Sequence, residues 1–320
     1  MPNWLIVLSV MVGMAGFIYF LKKRRKDDDD QETTVVNNTP EEETMKKFAL
    51  IVGINHYSTP GMDLAGCVND ANNVKQFLLE CCGFEEGGIK MLLDEQATKK
   101  NILGHLEWLV SKGVDGVELV YYHSGHGSQV FDESGDEADQ LDEILIPHDH
   151  DWNDPFLDDY LAKIFSKLPA GAFLSMICDT CHSGSMTKDV VRNIAMPKEM
   201  AEKMNGKNLK KRKFGMKKDT AKSEQRHILL SGCRDDQTSS EAIISGKRQG
   251  ALTYNFIETA RISAKSWRQT HADVIKIMNN SGWGQEPVLS GAEGLKDRII
   301  FGLESGSVCS NGAEAEIFGG

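Results

Sequence analysis

A chain of 320 residues with a formal net charge of −11 is poorly suited to general nucleic-acid binding, which needs surplus Lys and Arg against phosphate. Apolar residues at 40% and charged residues at 26% are ordinary for a globular enzyme, with ample material for a buried core. The seven cysteines are odd in number and form no regular framework, so the chain reads as reduced and intracellular rather than disulfide-stapled.

The first residues differ in kind from the rest. Residues 4–21 are uncharged and mostly apolar, and Lys22, Lys23, Arg24, Arg25 and Lys26 follow at once. As a helix the segment is about 27 Å long, close to the roughly 30 Å of a bilayer core. A cleaved signal peptide carries its positive charge before the apolar stretch, so this order predicts a single-pass membrane anchor. The basic cluster then keeps the remainder of the chain in the cytosol. Residues 22–44 are charged and short of large apolar groups, the composition of a flexible tether.

The globular part runs over 45–320. Residues 48–54 are short, apolar and β-branched, as a strand buried on both faces requires. Val74, Phe77 and Leu78 follow at helical spacing, and Gly83 ends that helix. Residues 89–93 predict a second strand. Thr98 is placed to cap a helix with Ile102, Leu106, Leu109 and Val110 on one face. Further strands are expected at 117–122, 144–146 and 172–178, with a helix marked by Leu157, Leu161, Ile164, Phe165 and Leu168 before the last. This alternation predicts an α/β fold: a mostly parallel central sheet covered by helices on both faces, with chemistry at the carboxyl ends of strands.

Residues 45–197 form one region of this domain. Residues 198–226, dense in Lys and Arg, predict an exposed basic loop, and 227–320 a second region of the same domain. In that second region 227–232 reads as a strand, and helical patterns lie near 250–262 and 272–278.

Two strand ends carry reactive side chains. After Val120-Tyr121-Tyr122 comes His123-Ser124-Gly125-His126-Gly127-Ser128, and after Met176-Ile177-Cys178 comes Asp179-Thr180-Cys181-His182-Ser183-Gly184-Ser185. Parallel strands bring such ends to one rim, where His126 can take the proton of the Cys181 thiol and make it a nucleophile. The glycines leave backbone N–H groups, those of Gly127 and Cys181, free to face a developing oxyanion. Cys178 and Cys181 also form one C-x-x-C, a spacing used by redox pairs and metal sites. No second pair with metal-ligand spacing accompanies it.

At these residues the chain resembles the metacaspases, a family of caspase-like cysteine peptidases. The resemblance rests on Ser124-Gly125-His126-Gly127 and on Asp179-x-Cys181-His182-Ser183-Gly184. It extends to Gly66-Cys67-Val68-Asn69-Asp70-Ala71, to the run 231–239, and to Gly250-Ala251-Leu252-Thr253. It covers about 48–302 and leaves out the apolar segment and the tether. It implies a caspase-like fold, a Cys181/His126 dyad, and a substrate pocket lined by Cys67, Asp70, Ser124 and Asp179. Two carboxylates there favour a guanidinium or ammonium, so cleavage after Arg or Lys is expected. For Asp70 a helix N-cap is the simpler role, and the two are compatible.

The resemblance also implies calcium, held by hard carboxylate oxygens at Asp142, Asp158 and Asp159. A fourth family ligand falls at Lys188, so Asp189 beside it is the nearest carboxylate. The family further implies a monomer. Together these features predict a membrane-anchored, calcium-activated cysteine endopeptidase that cuts its own basic loop. The alternatives are a catalytically weak caspase-like scaffold and a calcium-responsive binding module. Expected partners are Arg- or Lys-containing peptides and a membrane, with no nucleic acid.

Overall fold

The structure is a computed structural model that describes residues 46–131, 141–180, 196, 227–234, 237 and 239–309. The expected membrane span at 4–21, the tether and the basic loop at 198–226 lie outside the described residues. Among those described, no helix is long and apolar enough to cross a membrane.

The centre is a six-stranded sheet in the order β11-β8-β7-β3-β1-β2. Its strands are β1 (Lys47–Gly53), β2 (Ile89–Leu93), β3 (Glu118–Ser124), β7 (Phe173–Asp179), β8 (His227–Ser231) and β11 (Val288–Gly291). Every pairing is parallel except the edge pair β11 and β8. Residues of β3 and β7 are buried throughout, as a strand with helices over both faces must be.

Successive residues of one strand enter opposite layers. Leu50, Val52, Leu119, Tyr121, Leu174 and Met176 pack with α2 (Lys99–Ser111) and α3 (Asp158–Phe165) through Ile102, Leu106, Leu109, Leu161, Ile164 and Phe165. Their neighbours Ala49, Ile51, Val120, Tyr122, Phe173 and Ile177 meet three helices on the other face. Those are α1 (Cys67–Cys81), α4 (Ala251–Ile262) and α5 (Trp267–Asn280). The two-residue period of a strand thus divides one apolar run between two half-cores. Thr98 Oγ1 accepts the Asn101 N–H at 3.2 Å, the expected cap of α2.

Three features depart from the sequence reading. The strand expected at 144–146 is β5 (Leu141–Leu145), and it lies outside the central sheet. It pairs antiparallel with β4 (Gly127–Phe131) and with β6 (Phe156–Leu157). Only Gly125 and His126 separate β3 from β4, far too few residues for the crossover that a parallel neighbour needs. A second hairpin, β9 (Glu241–Ile244) with β10 (Lys247–Gly250), was not foreseen. Its turn residues Ser245 and Gly246 have φ of 51° and 76°, the left-handed pair of a type I′ turn, so the Ser-Gly dipeptide was the overlooked signal.

The third departure corrects the cysteine chemistry. Cys81, at the end of α1, is disulfide-bonded to Cys309, with Cα atoms 5.0 Å apart. Spacing could not reveal a pair separated by 228 residues. Cys67, Cys82, Cys178 and Cys233 are buried.

Candidate active site

β3 and β7 end side by side and in register, with His123 opposite Cys178 and Ser124 opposite Asp179. On the other flank of β3, Gly53 of β1 lies opposite Ser124. A Cβ on Gly53 would stand 2.6 Å from the Cys67 carbonyl oxygen and 2.7 Å from Ala71 Cβ. Glycine therefore lets the start of α1 rest against the end of β1, and this brings Cys67 and Asp70 to the strand rim.

Asp70 and Asp179 are both fully buried, and neutral donors hold them in place. Asp70 Oδ2 accepts the Ser124 hydroxyl at 3.0 Å, and Oδ1 accepts the Gly250 N–H at 2.8 Å. Asp179 Oδ1 accepts the Ser239 hydroxyl at 2.6 Å, while Oδ2 accepts from Thr253. The predicted pocket residues Cys67, Asp70, Ser124 and Asp179 thus lie together on adjoining elements. Asp70 is not the helix cap. The Cys67 and Val68 N–H groups donate to Asn55 Oδ1 at 2.9 and 3.3 Å, which leaves the Asp70 carboxylate for Ser124 and Gly250.

His126 occupies the two-residue turn between β3 and β4 and is 4% exposed. Its backbone N–H donates to the Tyr57 hydroxyl at 2.8 Å, and the Tyr57 ring lies 4.9 Å away, centre to centre. Nε2 is 2.7 Å from the Met62 carbonyl oxygen. A carbonyl only accepts, so Nε2 bears the proton in the neutral ring and Nδ1 is its basic nitrogen. The Met62 carbonyl thus holds the ring in one orientation, where no third side chain was evident in the sequence. Gly127 opens β4 opposite Leu145.

Cys181 lies outside the described residues, two positions beyond Asp179. Cys178 lies in the fully buried strand β7, and burial, aided by the Asp179 charge, pushes its thiol far above the usual range, a setting unlike that of a reactive thiol. Of the predicted metal ligands, Asp142 is buried on β5, Asp158 and Asp159 are exposed in the first turn of α3, and Asp189 lies outside the described residues. β5 pairs with β6, Ile144 opposite Leu157, and α3 begins at the next residue. Among the described residues no group of three His, Cys, Asp or Glu side chains is drawn together closely enough to hold a metal. Sequence reasoning missed Asn55, Tyr57 and Glu241. Glu241 is a charged residue at the head of the unforeseen hairpin.

Similarity to known proteins agrees with this arrangement. Residues 46–190 match the profile of the metacaspase, peptidase C14 domain. Metacaspase-1 of Candida glabrata is 29% identical over 81% of this chain and 76% of its own length. Metacaspase-1 of Schizosaccharomyces pombe is 31% identical over 77% of this chain and 67% of its own. The fold resembles that of a Geobacter sulfurreducens protein with a TM-score of 0.61, at 22% identity over 80% of this chain and 98% of that one. It also resembles Caspase-1 from Spodoptera frugiperda with a TM-score of 0.51, at 12% identity over 78% of this chain and 87% of that one. With the profile match, the 31% identity over most of both chains and the caspase-like sheet, this chain belongs to the metacaspases, the caspase-like cysteine peptidases of family C14.

Proposed function

We propose that this metacaspase is an endopeptidase that cleaves after Arg or Lys, with Cys181 as nucleophile and His126 as base. One observation carries the reading: two buried carboxylates, Asp70 and Asp179, bracket Ser124 beside the turn that holds His126. A guanidinium or ammonium between them gains charge-assisted hydrogen bonds, whereas an acidic substrate residue is repelled.

In the proposed reaction His126 Nδ1 takes the Cys181 thiol proton as sulfur bonds to the scissile carbonyl carbon. The Gly127 and Cys181 N–H groups receive the negative charge that forms on oxygen. His126 returns the proton to the departing amine, and water then hydrolyses the thioester, releasing the acid and restoring the thiol. Hard carboxylate oxygens at Asp142, Asp158 and Asp159, with Asp189 one residue after the position of the family's fourth ligand, are donors of the kind calcium takes. When bound it would supply positive charge that draws these carboxylates together. The basic loop at 198–226 is rich in the residues such a pocket accepts, so self-cleavage there belongs to the same proposal. Residues 4–21 would anchor a monomer with its peptidase domain in the cytosol.

The test is a fluorogenic panel with Arg, Lys or Asp before the cut bond, run on the purified full chain and Cys181→Ala, with and without calcium. Arg and Lys peptides should be cleaved by the wild type alone, faster with calcium, with cuts after Lys or Arg inside 198–226. Efficient cleavage after Asp would overturn the specificity, and equal cleavage by Cys181→Ala would overturn the nucleophile. A wild type that cleaves Arg peptides but stays whole would overturn self-cleavage.

A further inference from the structure

His126 is bonded on three sides to groups distant in the chain. Its backbone N–H donates to the Tyr57 hydroxyl, its carbonyl accepts the Ile146 N–H at 3.1 Å, and Nε2 donates to the Met62 carbonyl. Tyr57 and Met62 belong to one loop, residues 55–64. The Leu64 N–H closes its neck by donating to the Asn55 carbonyl at 2.8 Å. Inside the loop the Tyr57 N–H donates to Asp63 Oδ1 at 3.1 Å, and the Ser58 N–H ties it to the His148 carbonyl at 2.9 Å. Tyr57 is therefore fixed through its own backbone as well as through its hydroxyl, and it is buried.

From this loop we infer that Tyr57 is a positioning residue for the base, an inference that rests on the reading of His126 as that base. A phenol ring turns about only two bonds, so its oxygen is a stiff support for the backbone it meets. The same ring touches the imidazole, 4.9 Å from centre to centre and inclined at 45°. Tyr57 thus sets the place of the His126 backbone and flanks the ring, while the Met62 carbonyl holds Nε2. Proton transfer demands such control, because a base displaced by about 1 Å can lose about a hundredfold in rate. Packing in the core would be served equally by a phenylalanine; the hydroxyl adds the bond to His126. Gly125 agrees, since a Cβ there would lie 2.9 Å from Tyr57 Oη and 3.3 Å from His123 Nε2. The missing side chain leaves the hydroxyl its room.

The experiment compares the purified full chain with Tyr57→Phe, which keeps the ring and removes the acceptor. With an Arg peptide kcat should fall about tenfold while KM holds, because the loss lies at the base and not in the pocket. Alkylation of Cys181 by iodoacetamide, read by mass spectrometry of the peptide that carries it, reports on the same base without turnover. In the wild type His126 should hold the pH midpoint of that reaction below the ordinary thiol value of about 8.5, and Tyr57→Phe should bring it back toward that value. A merely structural role would lower the unfolding midpoint and leave the pH midpoint of the folded protein in place. Gly125→Ala, which presses on the hydroxyl, should act in the same direction and serves if Tyr57→Phe does not fold. Where both fold, the two changes together should cost little more than either alone, since they act on one bond. An unchanged kcat and pH midpoint in a folded Tyr57→Phe, or in Gly125→Ala, overturns the inference, as does a loss that falls on KM alone. If His126→Ala moves neither quantity, the reading of the base itself fails. If His126→Ala moves both and Tyr57→Phe neither, only the role of Tyr57 is lost.

Discussion

Thr253 gives both its backbone N–H and its hydroxyl to one oxygen of Asp179, at 3.1 and 2.7 Å. Thr253 is the third residue of α4, so the positive end of that helix faces a carboxylate at the tip of β7. The two residues lie 74 positions apart, on either side of the basic loop. Their bonds join the two regions of the domain at the site itself. Because the Thr253 hydroxyl donates to Asp179, the Tyr122 hydroxyl donates to Thr253 Oγ1 at 2.6 Å.

Thr253→Val keeps the shape and the backbone N–H but removes the hydroxyl from two buried partners. Stability should fall by about 1–3 kcal/mol, the usual cost of leaving such groups short of a bond. The KM of an Arg peptide should rise, because Asp179 is less firmly held. Urea unfolding with peptide kinetics on the same sample checks both. A variant as stable as wild type would show the hydroxyl to be dispensable.

Arg298 Nη2 donates to Glu118 Oε1 at 2.6 Å, and its guanidinium also lies over the Phe173 ring at 4.3 Å. Burial pushes the Glu118 carboxyl above its usual range, with Arg298 opposing the shift. Arg298→Met should destabilise the protein by about 1–3 kcal/mol at pH 8. That is less than the about 3–5 of a fully buried pair, because Arg298 is half-exposed. A carboxyl raised on folding binds its proton more readily in the folded state, so the deficit should shrink as pH falls from 8 toward 5. A deficit independent of pH would assign the loss to the ring contact instead.

His150 packs edge-on against Trp152 with ring centres 4.4 Å apart. Burial lowers its pKa to about 4, outweighing the charges of Asp151 and Asp149. Below pH 6.5 the unfolded chain takes up a proton that the folded ring refuses. Stability should therefore decline as pH falls from 6.5 to about 4, by at most about 3 kcal/mol from this residue. His150→Phe should flatten that decline while keeping the aromatic contact. Residual slope is expected from His227, which burial also lowers. Parallel stability curves for variant and wild type would remove His150 as the cause.

The Cys81–Cys309 disulfide fastens the segment after Leu303 to the end of α1, beside the Arg261 guanidinium. A crosslink closing so long a loop stabilises by about 2–4 kcal/mol, mainly by restricting the unfolded chain. Reductant should lower the unfolding midpoint of the wild type and leave Cys81→Ser/Cys309→Ser unaffected. The neighbouring Cys82 will not substitute, since burial pushes its thiol up to about 12. Equal midpoints with and without reductant would show the bridge to be energetically silent.

Much of the fold was legible because its signals are local. The apolar run of β1, the cap at Thr98, the helical spacing in α1 and the glycine-flanked turn of His126 each depend on a few adjacent residues, and each survives in the structure. The strand at 144–146 was found but misplaced, because a short apolar run does not reveal which sheet it joins. That decision belonged to the two-residue turn after β3.

The candidate site divides in the same way. The sequence by itself determined the kinds of groups present: a histidine and a cysteine beyond two strands, and carboxylates at 70 and 179. Only the tertiary structure decided their partners. Asp70 is tied to Ser124 and Gly250 rather than to its own helix, the His126 tautomer is fixed by the Met62 carbonyl, and Glu241 is turned onto Gly66. Cys81 finds Cys309 across 228 positions in the same manner. Such pairings carry no mark in either local sequence, because they arise when strand register and helix packing bring distant backbone and side-chain groups within about 3 Å of each other.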